Sequence, residues 1–216
     1  MTNKGNITIV IADDHPMLLK GLQDELESHG YKVVGQALNG MQALELILTL
    51  TPSVALLDID MPLLTGFEVI KTAKEKRSLT KFIVLSFHKE AEYVSQAKAL
   101  QINGYLLKED SFEEVERCIE AAVNDEEYFS RSFDAFSLRN ANEELRKLSL
   151  LTPSETTILK LIAQQYTSNE IADTLCVSSR TVEKHRSNII VKLGLEGGTN
   201  AVTNWALVHK NTIMAM

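Results

Sequence analysis

The feature that most constrains this chain is a fivefold alternation in its first part. Five short apolar runs, ITIVIA (7–12), VVGQA (33–37), VALLD (54–58), FIVLS (82–86) and GYLL (104–107), are separated by segments with apolar residues three and four apart. Continuous apolar runs suit parallel strands buried on both faces. The intervening segments 16–29, 40–50, 66–76, 90–100 and 111–124 read as amphipathic helices, as Leu18, Leu19, Leu22 and Leu26 illustrate. Five βα units in succession predict an α/β doubly wound parallel five-stranded sheet, with right-handed crossovers placing helices on both faces.

In such a sheet the ligand site lies at the carboxyl ends of the strands. Asp13 and Asp14 follow the first strand, Asp58 ends the third, Ser86 ends the fourth and Lys108 follows the fifth. One Asp after a strand is ordinary turn chemistry, but three carboxylates, a hydroxyl and an ammonium converging on one edge form a site. Alone it repels a phosphate and pushes carboxylate pKa values upward. A hard divalent cation resolves the conflict, because Mg²⁺ binds through one or two carboxylates and phosphate oxygens. With the metal and Lys108 stabilising a transferring phosphoryl group, Asp58 can act as nucleophile and form an aspartyl phosphate.

The pieces IADDHP (11–16), LLDIDMPLLTG (56–66), VLSFH (84–88) and GYLLK (104–108) resemble the receiver domain of two-component response regulators, a flavodoxin-like fold. The resemblance implies Asp58 as phosphoacceptor and Asp13 and Asp14 as acids holding Mg²⁺ or Mn²⁺ together with Asp58. It further implies the backbone carbonyl of Asp60 as another metal ligand. Ser86 is expected to move to a phosphoryl oxygen, Lys108 to pair with the phosphate, and Tyr105 to act as switch aromatic. Asp60 and His88, two positions past Asp58 and Ser86, are candidates for tuning the phosphoryl lifetime. The string VALLDIDMPLL also fits the DxD motif of haloacid-dehalogenase-type phosphatases, with Asp58 and Asp60 as its acids. That motif follows a first strand, however, whereas Asp58 follows the third, so an enzyme is not expected.

The second part differs in charge. The whole chain carries a net charge of −7, which at first argues against a nucleic-acid partner. Resolved by region, residues 1–148 are net −8 and residues 149–216 net +1. Within the second region Arg180, Lys184, His185, Arg186 and Lys192 fall inside thirteen positions. From Tyr105 to Thr152 there is no Gly or Pro, and residues 132–148 can form a short helix. The expected organisation is a first domain over 1–126, a connector over 127–148 and a second domain over 149–216.

Thr152-Pro153-Ser154-Glu155 is a helix start, with Thr152 as cap, Pro153 at the first helical position and Glu155 closing a capping box. This helix should run to about Gln165. SNEIADTL (168–175) makes a short helix and CVSS (176–179) a turn. Ser178 caps a longer helix through Leu193 that Gly194 stops, and a fourth helix fits Thr199–His209. Two short helices, a tight turn and a basic helix form the arrangement that enters the DNA major groove. The stretch 149–212 resembles the LuxR-type helix-turn-helix, and the whole chain resembles the NarL/FixJ family. By position, Glu183, Lys184 and Ser187 are implied as base-facing, and Arg180, Thr181, His185 and Arg186 as backbone-phosphate contacts. Lys192 joins them on the basic helix. An Arg common after this helix in the family is replaced within EGGTN (196–200).

The expectation is a transcriptional regulator that binds double-stranded promoter DNA. Phosphorylation of Asp58 by a sensor histidine kinase would promote a homodimer, because three to five phosphate contacts per protomer bind weakly alone at about 0.9 log units per contact. A phosphorylation-independent regulator and a protein-binding anti-activator are the alternatives. Two cysteines 58 positions apart, no membrane-spanning run and no signal-peptide pattern suit a cytoplasmic protein.

Overall fold

The computed structural model describes residues 4–133, 143–197 and 199–216. They fall into two compact units, residues 1–89 with 100–134 and residues 90–99 with 135–216. Within the first part of the chain the elements alternate as the apolar runs dictate: β1 (Thr8–Ala12), α1 (Pro16–Ser28), β2 (Lys32–Ala37), α2 (Gly40–Leu50), β3 (Val54–Leu57), α3 (Gly66–Glu75), β4 (Lys81–Ser86), α4 (Ala91–Ala99), β5 (Gly104–Leu107) and α5 (Phe112–Val123). Every strand pairing is parallel. The strand order is β2-β1-β3-β4-β5-β6, so β1 and β3 are neighbours and their carboxyl ends share the middle of one edge.

The sixth strand, β6 (Tyr128–Phe129), departs from the five-stranded expectation. The chain leaves α5 through Asp125 in the left-handed region (φ 62°) and runs back along β5. Tyr128 N–H donates to Asn103 O at 3.0 Å and Ser130 N–H to Tyr105 O at 2.9 Å. Two residues leave almost no period to read, and the segment lies in the stretch expected to be connector. One core cluster joins Ile9, Ile11, Leu56, Ile83 and Leu106 of the sheet to Val115, Cys118 and Ile119 of α5. Close packing on this side excludes even a methyl group at Gly104, whose Cβ would lie 2.2 Å from Cys118 Sγ.

The expected helix over 132–148 is helical at 143–148, and its residues 134–142 lie outside the described residues. The C-terminal region then forms α6 (Pro153–Ala163), α7 (Ser168–Thr174), α8 (Ser179–Leu193), α9 (Thr199–Val208) and α10 (Lys210–Ala215). Both α6 and α7 begin with a complete capping box, Thr152 with Glu155 and Thr167 with Glu170. Ser178 caps α8 by accepting the Thr181 N–H, and Gly194 ends it at φ 66°. The fourth expected helix, Thr199–His209, is α9, and among the described residues a fifth, α10, follows it beyond the expected end. Their core brings together Ile158, Leu159 and Ile162, Ile171, Val182, Ile189 and Leu193, Val202 and Ala206, and Ile213.

Candidate functional site

The carboxyl ends of β1, β3 and β5 deliver the expected charged residues to one place. Asp58 N–H donates to Ala12 O at 2.8 Å, and Asp13 N–H to Ala37 O at 3.1 Å, so the sheet ladder itself sets both backbones. Asp13 and Asp58 are buried, at 5% and 4% exposure. Lys108 Nζ lies between them, 2.7 Å from Asp13 Oδ2 and 2.9 Å from Asp58 Oδ2. The other Asp58 oxygen accepts the Ile59 N–H at 2.7 Å. Gly66 opens α3 where a Cβ would meet Asp58 O at 2.2 Å, so this turn accepts no other residue.

One ammonium serves two buried carboxylates. Burial pushes the Asp58 carboxyl above its usual range; the hydrogen bond and charge of Lys108 pull it back, but Asp13 repels it. For Lys108, burial alone would lower the pKa, yet the hydrogen bonds and charges of Asp13 and Asp58 outweigh it and raise it. The result is a firmly cationic lysine beside a carboxylate with too little counter-charge. Asp13, Asp14, His15 and Asp58 each offer a ligand atom, all within 4.8 Å of one another. This acidic pocket is consistent with a divalent cation, and the raised Asp58 supports that fit, since a second positive charge would offset what burial costs the ionised carboxylate. His15 enters a set for which only Asp13, Asp14, Asp58 and Asp60 were expected. Its Nδ1 lies 3.1 Å from Asp13 Oδ1 and 2.8 Å from Asp14 Oδ1, and its N–H donates to Asp13 Oδ1 at 2.9 Å.

Ser86 ends β4, and Tyr105 lies within the neighbouring β5. Ser86 is fully buried, and its Oγ accepts the His88 N–H at 3.2 Å. Tyr105 is also fully buried, and its hydroxyl donates to His88 O at 3.1 Å. The Tyr105 ring stacks on Phe133 at 5.0 Å and tilts against Phe129 at 6.4 Å. The Asp60 side chain is 67% exposed and accepts from His88 Nε2 at 2.7 Å. Phe87, 63% exposed, places its ring 5.2 Å from Lys108 Nζ.

In the C-terminal region Arg180, Glu183, Lys184 and Ser187 of α8 are exposed, and Thr181 and His185 partly so. An open concavity of about 700 Å³ is lined by Ser178, Arg180, Thr181, Lys184, His185 and Asn188. Asn188 was not among the expected contacts, although it stands four positions past Lys184 on the same helix face. Two expected contacts are turned elsewhere. Arg186 is buried at 6% exposure, and its guanidinium donates to Thr203 Oγ1 at 2.7 Å. The spacing Val182, Arg186, Ile189, Leu193 puts it on the core stripe of α8, where it braces α9. Lys192 Nζ donates at 2.6 Å to Glu155 Oε2, the carboxylate that closes the capping box of α6. Hydrogen bonds from Lys192 and from the Thr152 N–H and hydroxyl outweigh burial and lower Glu155 to about 2. Lys192 is thereby committed to a structural carboxylate.

Comparison with known proteins agrees with both halves. The profile described as response regulator receiver domain matches residues 9–120, and that of bacterial regulatory proteins of the luxR family matches residues 149–204. The transcriptional regulatory protein MctR of Rhizobium johnstonii is 35% identical over 211 residues, 97% of each chain. The nitrate/nitrite response regulator protein NarL of Escherichia coli K12 is 34% identical, over 99% of this chain and 100% of its own. Among solved structures, a complex of the two-component response regulator RcsB with DNA is 27% identical with a TM-score of 0.57, covering 94% of this chain and 98% of that one. The first is a transcriptional regulatory protein and the second a response regulator, and both family profiles belong to regulators of transcription rather than to enzymes. With a receiver sheet carrying its acidic pocket and a capped helix-turn-helix following it in sequence, this chain belongs to the NarL/FixJ family of response regulators.

Proposed function

We propose that this protein is a DNA-binding transcriptional regulator switched by phosphorylation of Asp58. The observation that carries the reading is the shared lysine: Lys108 bonds both Asp13 and Asp58, leaving the Asp58 carboxylate short of positive charge. Asp13, Asp14 and Asp58, with the Asp60 carbonyl, would hold Mg²⁺ or Mn²⁺. When bound, the cation supplies the missing positive charge and stabilises phosphoryl oxygens. Asp58 is the nucleophile: its carboxylate oxygen forms the new bond to phosphorus as the donor's bond breaks. Lys108 stays cationic and pairs with the incoming phosphoryl oxygens. Ser86 then turns its hydroxyl to the same group, and Tyr105 answers the movement.

The reader is α8. Lys184 and Arg180 stand exposed on a concave face with Thr181, His185 and Asn188, and Glu183 and Ser187 complete the exposed surface. This supports insertion into the major groove, with Glu183, Lys184 and Ser187 toward the bases and Arg180, Thr181 and His185 toward phosphates. With Arg186 and Lys192 turned to structural partners, fewer cations remain for DNA, which strengthens the case for two protomers binding together. The phosphodonor is proposed to be a sensor histidine kinase, and the site of action the cytoplasm. Among the described residues no helix is long and apolar enough to cross a membrane.

The test is promoter-fragment binding with and without beryllofluoride and Mg²⁺. Binding that tightens with beryllofluoride, together with a shift from monomer to dimer in sedimentation, is the expected result. Equal DNA affinity in both conditions would favour a regulator that ignores phosphorylation.

A further inference from the structure

One side chain at the acidic pocket has no part in the chemistry set out above. His15 occupies the N-cap of α1 without making a side-chain cap bond. Its ring turns instead to the acids, with Nδ1 3.1 Å from Asp13 Oδ1 and 2.8 Å from Asp14 Oδ1. Asp13 Oδ1 also accepts the His15 backbone N–H at 2.9 Å, and its distance from the ring allows a second hydrogen bond. Asp14 Oδ1 is inaccessible to solvent and, for all the closeness of the ring, has no hydrogen-bond partner among the described residues. The other Asp13 oxygen and one oxygen of Asp58 are taken by Lys108. Separations of 2.8 and 3.1 Å are those of neighbouring donors around one ion: two donors about 2.1 Å from a shared cation and at right angles stand about 3 Å apart.

We propose that the His15 imidazole is a cation ligand of this pocket and sets which divalent cation the pocket prefers. The proposal deepens the reading of Asp13, Asp14 and Asp58 as cation-holding acids and rests on it. Carboxylate and water suit Mg²⁺, whereas imidazole suits first-row cations that accept nitrogen, such as Co²⁺ and Zn²⁺. The three acids alone are an oxygen-only donor set. His15 adds a nitrogen whose ligand atom lies within 4.8 Å of all of theirs. Its side chain is 60% exposed, so it completes the donor set from the solvent side without disturbing any core packing. Mg²⁺ gains little from it, because that ion keeps water in preference to a nitrogen ligand. The pocket therefore favours a nitrogen-accepting cation over Mg²⁺ by more than its carboxylates provide. The competing role for the ring is a brace that only hydrogen-bonds the acids, and such a brace serves every cation alike.

The test is a competition on the metal-stripped full chain at one fixed pH. Bound Mn²⁺ is followed by electron paramagnetic resonance while Mg²⁺ or Co²⁺ displaces it, in the wild type, His15→Ala and His15→Asn. The ratio of Mg²⁺ to Co²⁺ concentrations at half-displacement should fall at least about tenfold in His15→Ala. Mg²⁺ affinity itself should stay within about threefold of the wild type. His15→Asn can cap α1 but carries no ring, and should show the same fall. An Asn variant that restores the wild-type ratio would assign the effect to the helix start and overturn the proposal. Equal losses of Mg²⁺ and Co²⁺ affinity in His15→Ala are the mark of a brace and overturn it too, as does an unchanged ratio in a variant that folds by circular dichroism. Mn²⁺ that fails to bind the wild type, or binds Asp14→Ala equally well, overturns the cation pocket itself. Mn²⁺ that needs Asp14 but leaves the ratio indifferent to position 15 overturns the His15 ligand alone.

Discussion

Two buried carboxylates, one in each region, each face a lysine and come to opposite states. Asp58 at the end of β3 shares Lys108 with Asp13, and its pKa is raised. Glu155 at the start of α6 has Lys192 to itself and two further donors from Thr152, and its pKa is lowered to about 2. Both side chains are nearly inaccessible, at 4% and 3%. Burial is the largest push on Asp58, and its lysine is shared, whereas around Glu155 three unshared donors outweigh burial. A carboxylate whose lone pairs are filled by its own helix start is a structural brace. One that competes with a neighbour for a single ammonium is left short of positive charge.

The comparison breaks most visibly at Asp58. Asp58→Ala should cut phosphoryl labelling from acetyl phosphate by more than about a thousandfold, since the nucleophile is gone. In metal-free buffer the same substitution should leave stability unchanged or raise it by up to about 2 kcal/mol, because Lys108 then balances Asp13 alone. Retained labelling would remove the site, and a large loss of stability would remove the contrast.

Glu155→Ala should do the reverse. It deletes a capping box and strands Lys192, so destabilisation of about 2–3 kcal/mol is expected. Trp205, the chain's one tryptophan, reports this unfolding in the C-terminal region. Phosphoryl labelling at Asp58 should not change.

Acid sharpens the same point with a smaller effect. A group with a depressed folded pKa contributes stability that is complete above its unfolded value and is lost as pH falls toward the folded one. For Glu155 that window runs from 4.5 down to about 2. About 1–2 kcal/mol should disappear across it, discounted because Lys192 is about a third exposed. Lys192→Ala should flatten this dependence in a Trp205 denaturation series from pH 5 to 2.5. An unchanged slope would mean that the Thr152 donors alone hold the pKa down.

The smallest effects separate the cations of α8. Lys184→Ala should weaken promoter binding and lower the salt slope by about one if Lys184 meets a phosphate, or relax sequence preference if it meets a base. Arg186→Lys should instead lower stability by about 1 kcal/mol through the lost Thr203 bond, with the salt slope intact. Equal salt slopes in Lys184→Ala and wild type, with preference also unchanged, would reassign the reading face.

Much of this was legible in the sequence, for identifiable reasons. The strands were readable because buried parallel strands are continuous apolar runs, and Asp13, Asp58, Ser86 and Lys108 because the end of a strand is a local property. The starts of α6 and α8 were readable because a cap lies within three residues of what it caps. Strand β6 was not, since Tyr128 and Phe129 pair only because the turn at Asp125 brings them beside β5. Arg186 is expected at DNA by its position in the resemblance, and Lys192 by its charge on the same helix. Only the 4–3–4 spacing of Val182, Arg186, Ile189 and Leu193 hinted that Arg186 faces inward.

The sequence by itself therefore determined the order of strands and helices, the edge of the sheet that gathers the acidic residues, and the helix that carries the basic residues. All of these follow from periodicity and neighbouring residues. Tertiary structure alone decided which charges are spent inside. Lys192 finds Glu155 37 positions away and Arg186 finds Thr203 17 positions away. His88 gathers Asp60 from the loop after β3, Ser86 from the end of β4 and Tyr105 from β5. A charge is structural or functional according to the donors and acceptors that folding places around it, and that count is not written in any single segment.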